Sequence, residues 1–157
     1  MEKLENIIKV DRGKLYGTHG LLREIAVSYV TKQLEILIKS IKRYSRKDRI
    51  TIADWGGGNA ILGVNILKAL KSYKTITIYN IDIDSTKFKK HKNIINIKAD
   101  ALTYKFERKV DFSVCRNVLG YLNMRERTVL FKNIYKNTEK AFLLINWFFL
   151  KKYERIL

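Results

Sequence analysis

Three consecutive glycines, Gly56, Gly57 and Gly58, lie between an apolar run and a helix-forming run. The apolar run ends in an acid, Asp54, two residues before the first glycine. Glycines cluster in this way where the backbone must approach a ligand closely or adopt a positive φ, which a Cβ obstructs. A helix that follows such a loop offers unpaired N–H groups and a positive dipole end. The glycines alone fit a tight turn, but strand, acid, glycines and helix in this order indicate a nucleotide-like ligand.

The rest of the chain alternates between strand-like and helix-like patterns. Runs of β-branched and aromatic residues predict strands over residues 50–54, 75–81, 94–98, 110–115 and 140–147. Helical periodicity and capping signals predict helices over residues 21–44, 59–71, 86–90 and 123–137. The alternation predicts an α/β fold: a Rossmann-like, doubly wound, mostly parallel sheet of about five strands with helices on both faces.

The acids between residues 50 and 100 follow the predicted strands. Each of the four lies at or just after the end of an apolar run, and they are Asp54, Asp82, Asp84 and Asp100. The carboxyl ends of neighbouring parallel strands open onto one crevice, which is the usual ligand position in open α/β sheets. We therefore expect these carboxylates to converge on a single site.

The spacing within the glycine loop separates the known nucleotide-binding loops. The dinucleotide pattern Gly-x-Gly-x-x-Gly needs a small residue where this chain has Ile61, so a nicotinamide-dependent oxidoreductase is disfavoured. A Walker A loop is excluded because no Gly-Lys-Ser/Thr follows the glycines.

Residues 54–60, which read Asp-Trp-Gly-Gly-Gly-Asn-Ala, resemble the Asp/Glu-x-Gly-x-Gly-x-Gly signature of class I S-adenosylmethionine-dependent methyltransferases. Ala60 replaces the last glycine of that signature. Residues 79–84 and 97–101 resemble the second and third motifs of the family, in which an acid closes or follows a strand. Residues 110–122 resemble the fourth strand and the segment after it in methyltransferases that act on small molecules.

The resemblance extends over residues 15 to 150 or so, and it implies both a domain organisation and a cofactor. It implies one methyltransferase-like domain over residues 1–157, with residues 1–20 as an N-terminal loop or lid and residues 21–157 as the Rossmann-like core. It also implies S-adenosyl-L-methionine as the cofactor and methyl transfer as the activity.

The same resemblance implies roles for the residues that match the motifs. Gly56, Gly57 and Gly58 would let the backbone meet the methionyl part of the cofactor, and Asp54 would orient this loop and the cofactor's amino group. Asp82 would accept hydrogen bonds from both ribose hydroxyls, as a carboxylate does well. Asp84 is the neighbouring alternative for the ribose, although capping of the following helix is the role that we favour for it.

The remaining implied roles concern the adenine and the acceptor. Asp100 would contact the adenine amino group, with the Ala101 backbone nearby, and Ile83 and Leu102 would enclose the ring. Asn117 and Tyr121 would line the mouth where cofactor and acceptor meet.

No catalytic base and no metal site are assigned from the sequence. Methyl transfer depends largely on alignment, with a base where the acceptor must lose a proton. His19 and His91 fit solvated positions, and Cys115 fits a small core residue at a strand end. Because the chain has no proline, it lacks the Asn/Asp-Pro-Pro-Tyr/Phe motif of amino-methylating DNA enzymes and the Pro-Cys nucleophile of cytosine C5 chemistry.

The net charge of +17, from 32 Lys and Arg against 15 Asp and Glu, favours association with nucleic acid or another polyanion. A lysine-rich solvated surface explains it equally well, because the charge is spread along the chain. The acceptor stays open between a small molecule, nucleic acid and protein. The alternative function is a non-catalytic nucleic-acid-binding protein that retains the fold. Short apolar runs and a single cysteine predict a cytoplasmic protein without membrane association.

The C-terminus departs from the family's pattern. The family's sheet continues after the fifth strand with two strands that form an antiparallel edge, whereas only about ten residues follow here. An exposed edge strand promotes pairing with another chain, and the apolar residues 147–150, Trp-Phe-Phe-Leu, lie beside it. We therefore expect a homodimer through this C-terminal edge, with a truncated chain or a monomer that tucks the tail in as alternatives.

Overall fold

The structure, a computed structural model, describes residues 20–44, 48–70 and 75–145, without the side chains of residues 20–30 and 145. Its five strands are β1 (Arg49–Trp55), β2 (Thr75–Asp82), β3 (Ile94–Lys98), β4 (Val110–Arg116) and β5 (Thr138–Ile145). They form one sheet in the order β3-β2-β1-β4-β5, and every neighbouring pair is parallel. The predicted Rossmann-like sheet of five strands is confirmed.

Helices cover both faces of this sheet, as predicted. The described residues form three α-helices, α1 (Gly20–Tyr44), α2 (Ile61–Ala69) and α3 (Met124–Asn137). Leu34 of α1 and Ile66 of α2 are buried in one apolar cluster with Ile52 of β1. Leu130 of α3 belongs to a second cluster, which contains Trp55 of β1. Alternate residues of β1 therefore enter different clusters, as the strand period of two requires.

Two predicted helices differ from the observed structure. The segment predicted as a helix over residues 86–90 forms only a 3-10 turn over Ser85–Lys87. The helix predicted from residue 59 begins at Ile61, because Ala60 adopts the left-handed conformation with φ 60°, which an α-helix does not continue.

Strand and helix do not alternate throughout, because residues 99–109 join β3 to β4 without a helix. Aromatic contacts cover the sheet there instead. The rings of Tyr104 and Phe106 pack edge-to-face on Trp55, with centroids 6.4 and 5.8 Å away. Phe106 also packs on Tyr79 of β2 at 5.1 Å. This loop therefore takes the place of a crossover helix on that face.

The capping signal at the start of α3 is confirmed. The side chain of Asn123 accepts a hydrogen bond from the Glu126 backbone N–H, and the Glu126 carboxylate accepts one from the Asn123 N–H. These reciprocal bonds satisfy two donors that a helix start leaves free, and they fix where α3 begins.

Several sequence-based expectations fall outside the described residues. They concern His19 in the N-terminal loop and the C-terminal residues 147–150. Within the described sheet, β5 is an edge strand. No helix in the described parts of the chain is long and apolar enough to cross a membrane.

Candidate functional site

The strand order places a crevice at the carboxyl ends of β1 and β4. From β1 the chain continues to β2 and β3 on one side, and then crosses to β4 and β5 on the other. Ligands bind at such a switch point because loops on the two sides diverge there. A cavity of about 710 Å³ opens at this position, which lies within the size range of small-molecule sites.

The residues predicted from the sequence to bind a cofactor all line this cavity. They are Asp54, Gly56, Gly57, Gly58, Asp82, Ile83, Asp100, Ala101 and Asn117. Leu102 and Tyr121 line it as well, whereas His91 is exposed and lies outside it. The structure therefore brings together residues that are up to 67 positions apart in the chain, from Asp54 to Tyr121. That they bind a cofactor stays a prediction.

The glycine loop packs tightly between β1 and β2. The backbone N–H groups of Gly56 and Gly57 donate to the Ile81 carbonyl of β2, at 2.7 and 3.3 Å. A Cβ on Gly57 would lie 2.7 Å from the Asp54 carboxylate and would overlap the side-chain oxygen of Asn80. The middle position of the loop thus has no room for a side chain.

Positive φ values recur through the same loop. Gly56 and Gly58 have φ of 72° and 55°, and Ala60 follows at 60°. Ala60 is the residue that stands where the signature has its last glycine, so the chain keeps the glycine-like conformation without the glycine. The left-handed turn at Ala60 directs the chain from the loop into α2.

Asp82 joins this loop to the end of β2. One carboxylate oxygen accepts the Gly58 backbone N–H at 2.8 Å, and the other accepts the Asp84 N–H at 2.8 Å. An ionised carboxylate has about four lone-pair sites, so two remain for hydroxyl donors of a ligand. The bonds also fix the orientation of Asp82 toward the cavity.

Asp84 caps the turn after β2, as predicted. Its carboxylate accepts from the backbone N–H of Thr86 at 3.1 Å and pairs with Lys87 at 3.1 Å. Hydrogen bonds from Thr86 and then from Lys87 lower the pKa of Asp84. The Asp84 carboxylate is therefore already engaged by residues of the turn itself.

Asp54 is the most unusual group in the cavity wall. It is 1% exposed, and neither carboxylate oxygen has a hydrogen-bond partner among the described residues. Burial raises its pKa to about 6; the charge of Arg116 acts in the opposite direction, and that of Asp82 adds to the rise. Buried acceptors are normally paired, so these oxygens point to a donor that belongs to a ligand or water.

Two amides, Asn80 against the glycine loop and Asn117 in the cavity wall, have further unpaired oxygens in the described residues. Asn80 donates to the Gly58 carbonyl at 3.0 Å and to Asn96 at 2.8 Å, but its buried oxygen has no partner in the described residues. Asn117 has φ 59° and also buries an unpaired oxygen. Sequence reasoning missed Asn80, although an amide inside the apolar β2 run was a visible signal.

The loop after β3 is held by α3, which packs on the same face of the sheet. The Asp100 carboxylate accepts the Leu102 N–H at 2.8 Å, which shapes the turn. Asn133 of α3 donates to the carbonyls of Ala101 and Tyr104, both at 2.9 Å. Asn133 was also missed, because no local pattern pairs it with residues about 30 positions earlier.

The end of β4 contributes a cation that the sequence analysis did not assign. Arg116 is half-buried, and its side chain lines the cavity. Cys115, the residue before it, is buried, and burial first, then the charge of Asp54, raises the pKa of its thiol to about 12. The thiol is therefore neutral and inert, as expected of a core residue.

Comparison with known proteins finds solved structures that have a similar fold. No protein-family model and no curated protein sequence matches the chain. Magnesium protoporphyrin IX methyltransferase from Synechocystis PCC 6803, solved with bound S-adenosylmethionine, matches with a TM-score of 0.63 and 12% identity, over 85% of this chain and 66% of its own.

Two further solved structures have the same arrangement. The glycopeptide N-methyltransferase MtfA, complexed with S-adenosylmethionine, matches with a TM-score of 0.58 and 11% identity, over 74% of this chain and 53% of its own. An S-adenosylmethionine-dependent methyltransferase from Clostridium acetobutylicum matches with a TM-score of 0.57 and 12% identity, over 80% and 57%.

The likeness establishes the fold. The chain has the Rossmann-like α/β fold of class I S-adenosylmethionine-dependent methyltransferases. It spans between about half and two thirds of the length of these solved structures.

Proposed function

We propose that this chain is an S-adenosylmethionine-dependent methyltransferase. The observation that carries the proposal is the direct bond between Asp82 and the loop residue Gly58, at the mouth of a cavity in a methyltransferase-like fold. This bond fixes two features relative to each other. One is the glycine loop, whose backbone can approach a ligand closely, and the other is the Asp82 carboxylate, which keeps free lone pairs.

The residues of the cavity fit the chemistry of this cofactor. Asp82 keeps acceptor capacity for two ribose hydroxyls. Asp100 and the Ala101 backbone lie beyond it, after β3, where the adenine amino group would be bound. Ile83 is 69% exposed on the cavity wall, and an adenine ring that packs between Ile83 and Leu102 would bury this apolar surface.

The Asp54 carboxylate suits the amino group of the cofactor. It is close to the glycine loop, its oxygens lack partners among the described residues, and an ammonium supplies up to three donors. Binding of that ammonium would lower the pKa of Asp54 and hold it ionised.

In this proposal the protein contributes mainly alignment. A bound cofactor would supply a methyl group on a positively charged sulfonium sulfur, and that sulfur would leave as a neutral thioether as the acceptor takes the methyl group. Asn117 and Tyr121 follow β4 and line the part of the cavity where the acceptor would meet the methyl group. Holding the two reactants in line converts an encounter into an effectively unimolecular step. No general base is assigned.

The acceptor and the partners are proposed at the level of class. Small molecules, nucleic acids and proteins are all candidates, and the charge of +17 supports testing nucleic acid first. We also propose a cytoplasmic location, supported by the single cysteine, which is typical of reducing compartments.

A homodimer through the C-terminal edge is part of the proposal as well. What supports it is the position of β5 at the edge of the described sheet, together with the apolar sequence of residues 147–150. Sedimentation of the parent and of Phe148→Asp tests it: we expect a dimeric parent and a monomeric variant, and a monomeric parent refutes it.

Transfer of radiolabelled methyl groups tests the activity. The purified protein is incubated with labelled S-adenosylmethionine and with DNA, RNA, proteins and the small-molecule fraction of a cell extract in turn. We expect label in one class of acceptor with the parent and none with Asp82→Ala. Absence of transfer to every class by the parent contradicts the enzyme proposal.

A further inference from the structure

We propose that Arg116 binds the carboxylate of the cofactor's amino-acid end, and so forms with Asp54 a subsite for a zwitterionic α-amino acid. The inference rests on the proposed function, because it assigns a further residue to the same ligand. No sequence motif indicates this role. The inference is based on the position of Arg116 in the cavity wall and on the absence of a partner for its guanidinium among the described residues.

The guanidinium of Arg116 has no hydrogen-bond or ion-pair partner in the described part of the chain. It is the last residue of β4, half-buried, in the wall of the cavity. A guanidinium carries five N–H donors and no acceptor. A charge that is partly withdrawn from water without a partner is unfavourable, so this position calls for an anion. A carboxylate matches the planar donor fork with two parallel bonds.

Asp54 and Arg116 occupy the same face of the sheet. Asp54 of β1 is aligned with Val114 of β4, and Arg116 lies two residues beyond Val114. Side chains two residues apart on a strand lie on the same face, and two residues advance about 7 Å along the strand. The positive charge of Arg116 influences Asp54, yet the two do not form an ion pair in the described structure. A ligand group that carries both charges fits between them.

The unpaired acceptors specify the other half of this group. Both oxygens of Asp54 and the side-chain oxygen of Asn117 are buried without donors from the described residues. An ammonium supplies three N–H donors, whereas a simple anion at Arg116 would leave these oxygens unsatisfied. Unpaired acceptors beside an unpaired cation are complementary to an ammonium and a carboxylate on one carbon atom.

The order of the strands indicates that the zwitterion belongs to the cofactor. Along the carboxyl edge of the sheet, Asp100 follows β3, Asp82 ends β2, Asp54 lies in β1 and Arg116 ends β4. Adenine, ribose and amino-acid end follow one another in the same order along the cofactor. Three strand spacings of about 4.8 Å make about 14 Å, enough for an extended nucleoside with an amino-acid chain.

Calorimetric titration with two related ligands tests the assignment without a known acceptor. S-adenosylhomocysteine carries the amino-acid end, and 5′-methylthioadenosine is the same nucleoside thioether without it. Each is titrated into the parent, Arg116→Gln and Arg108→Gln. Arg108 is exposed just before the start of β4, at the opposite edge of the sheet, so its variant matches the change in net charge.

We expect Arg116→Gln to raise the dissociation constant of S-adenosylhomocysteine about tenfold to hundredfold, as for the loss of a charge-assisted hydrogen bond. Its affinity for 5′-methylthioadenosine stays within about twofold of the parent's, which also shows that the variant is folded. Arg108→Gln changes neither affinity by more than about twofold.

Two results overturn the assignment while the proposed function stands. One is an Arg116→Gln variant that binds both ligands more weakly by the same factor, or that binds both as tightly as the parent does. The other is a parent that binds both ligands equally tightly, since the amino-acid end then contributes nothing. A parent that binds neither ligand contradicts the proposed function, and the assignment with it.

Discussion

The carboxylate of Asp82 accepts the backbone N–H of Gly58 at 2.8 Å, so the acid that ends β2 also positions the glycine loop that follows β1. Its second oxygen accepts the N–H of Asp84. The same side chain therefore stabilises the loop and, in the proposed function, binds the ribose. A substitution at this position changes both properties.

The variants Asp82→Asn and Asp84→Asn distinguish the role of Asp82 from that of the nearby Asp84. In Asp82→Asn the amide places an NH₂ group against one of the two backbone N–H donors, so one hydrogen bond is lost. We expect the dissociation constant of S-adenosylhomocysteine to rise about tenfold to hundredfold, and the free energy of unfolding to fall by about 1 kcal/mol. Calorimetry and urea unfolding measure the two effects.

Asp84→Asn is the matched control for this prediction. Asn caps as well as Asp does, so the turn over Ser85–Lys87 is kept while the charge is removed. We expect its affinity for S-adenosylhomocysteine to stay within about twofold of the parent's. Equal losses in the two variants would contradict the assignment of the ribose to Asp82.

A methyl group on Gly57 is expected to destabilise the protein. The new Cβ would overlap the Asn80 oxygen and lie 2.7 Å from the Asp54 carboxylate. Overpacking of this kind costs about 1–3 kcal/mol. Gly120→Ala is the control, because no atom lies within 4 Å of a Cβ built there. Urea unfolding of both variants should give a loss only for Gly57→Ala.

The buried carboxyl of Asp54 makes stability depend on pH. Burial raises its pKa from 3.8 to about 6, so the folded protein holds this proton more tightly than the unfolded chain does. The resulting stabilisation is complete below about pH 3.8 and is lost as the pH rises through about 6. The shift corresponds to about 3 kcal/mol.

Comparison with Asp54→Asn isolates this group from all others that titrate. Asn mimics the protonated acid at every pH. We therefore expect the parent's free energy of unfolding, measured relative to that of Asp54→Asn, to fall by about 2 kcal/mol between pH 4 and pH 7, because part of the change lies below pH 4. Parallel pH profiles of the two proteins would show that Asp54 titrates normally.

Binding should have the opposite pH dependence. Only the ionised carboxylate of Asp54 attracts an ammonium, so the affinity for S-adenosylhomocysteine should rise from pH 5 to pH 7. In Asp54→Asn this rise should disappear. Calorimetry at three pH values measures it, and an affinity that falls with pH would contradict the role of Asp54.

Asn133 is expected to act on the site from a distance. Asn133→Leu removes the two hydrogen bonds to the carbonyls of Ala101 and Tyr104, and also the one that the Asn133 side-chain oxygen accepts from Asn137. We expect a loss of about 2 kcal/mol in stability and weaker binding of 5′-methylthioadenosine. Lys132→Leu, on the exposed side of α3, should change neither measurement.

Much of the fold was predictable because its signals are local. Four of the five strands lie within a residue or so of the predicted runs, β5 begins two residues before the predicted start, and the Asn123–Glu126 pair correctly marked the start of α3. The start of α2 was wrong by two residues, since the left-handed conformation of Ala60 is imposed by the loop around it. The loop over residues 99–109 was not predicted, because its structure depends on aromatic contacts with β1 and β2.

The convergence of the candidate site residues followed from topology. Asp54, Asp82 and Asp100 each end or follow a parallel strand, and parallel strands share one carboxyl edge. The roles of Asn80 and Asn133 were missed because each depends on a side-chain contact with a distant segment. Such contacts form only after the sheet and helices have assembled.

Calorimetric titration of the parent with S-adenosylmethionine, S-adenosylhomocysteine and NAD tests the central proposal most directly. The account predicts that the first two bind with dissociation constants below about 1 mM and that NAD does not bind in this range. Absence of binding by both S-adenosyl compounds, or tighter binding of NAD than of either, would contradict it.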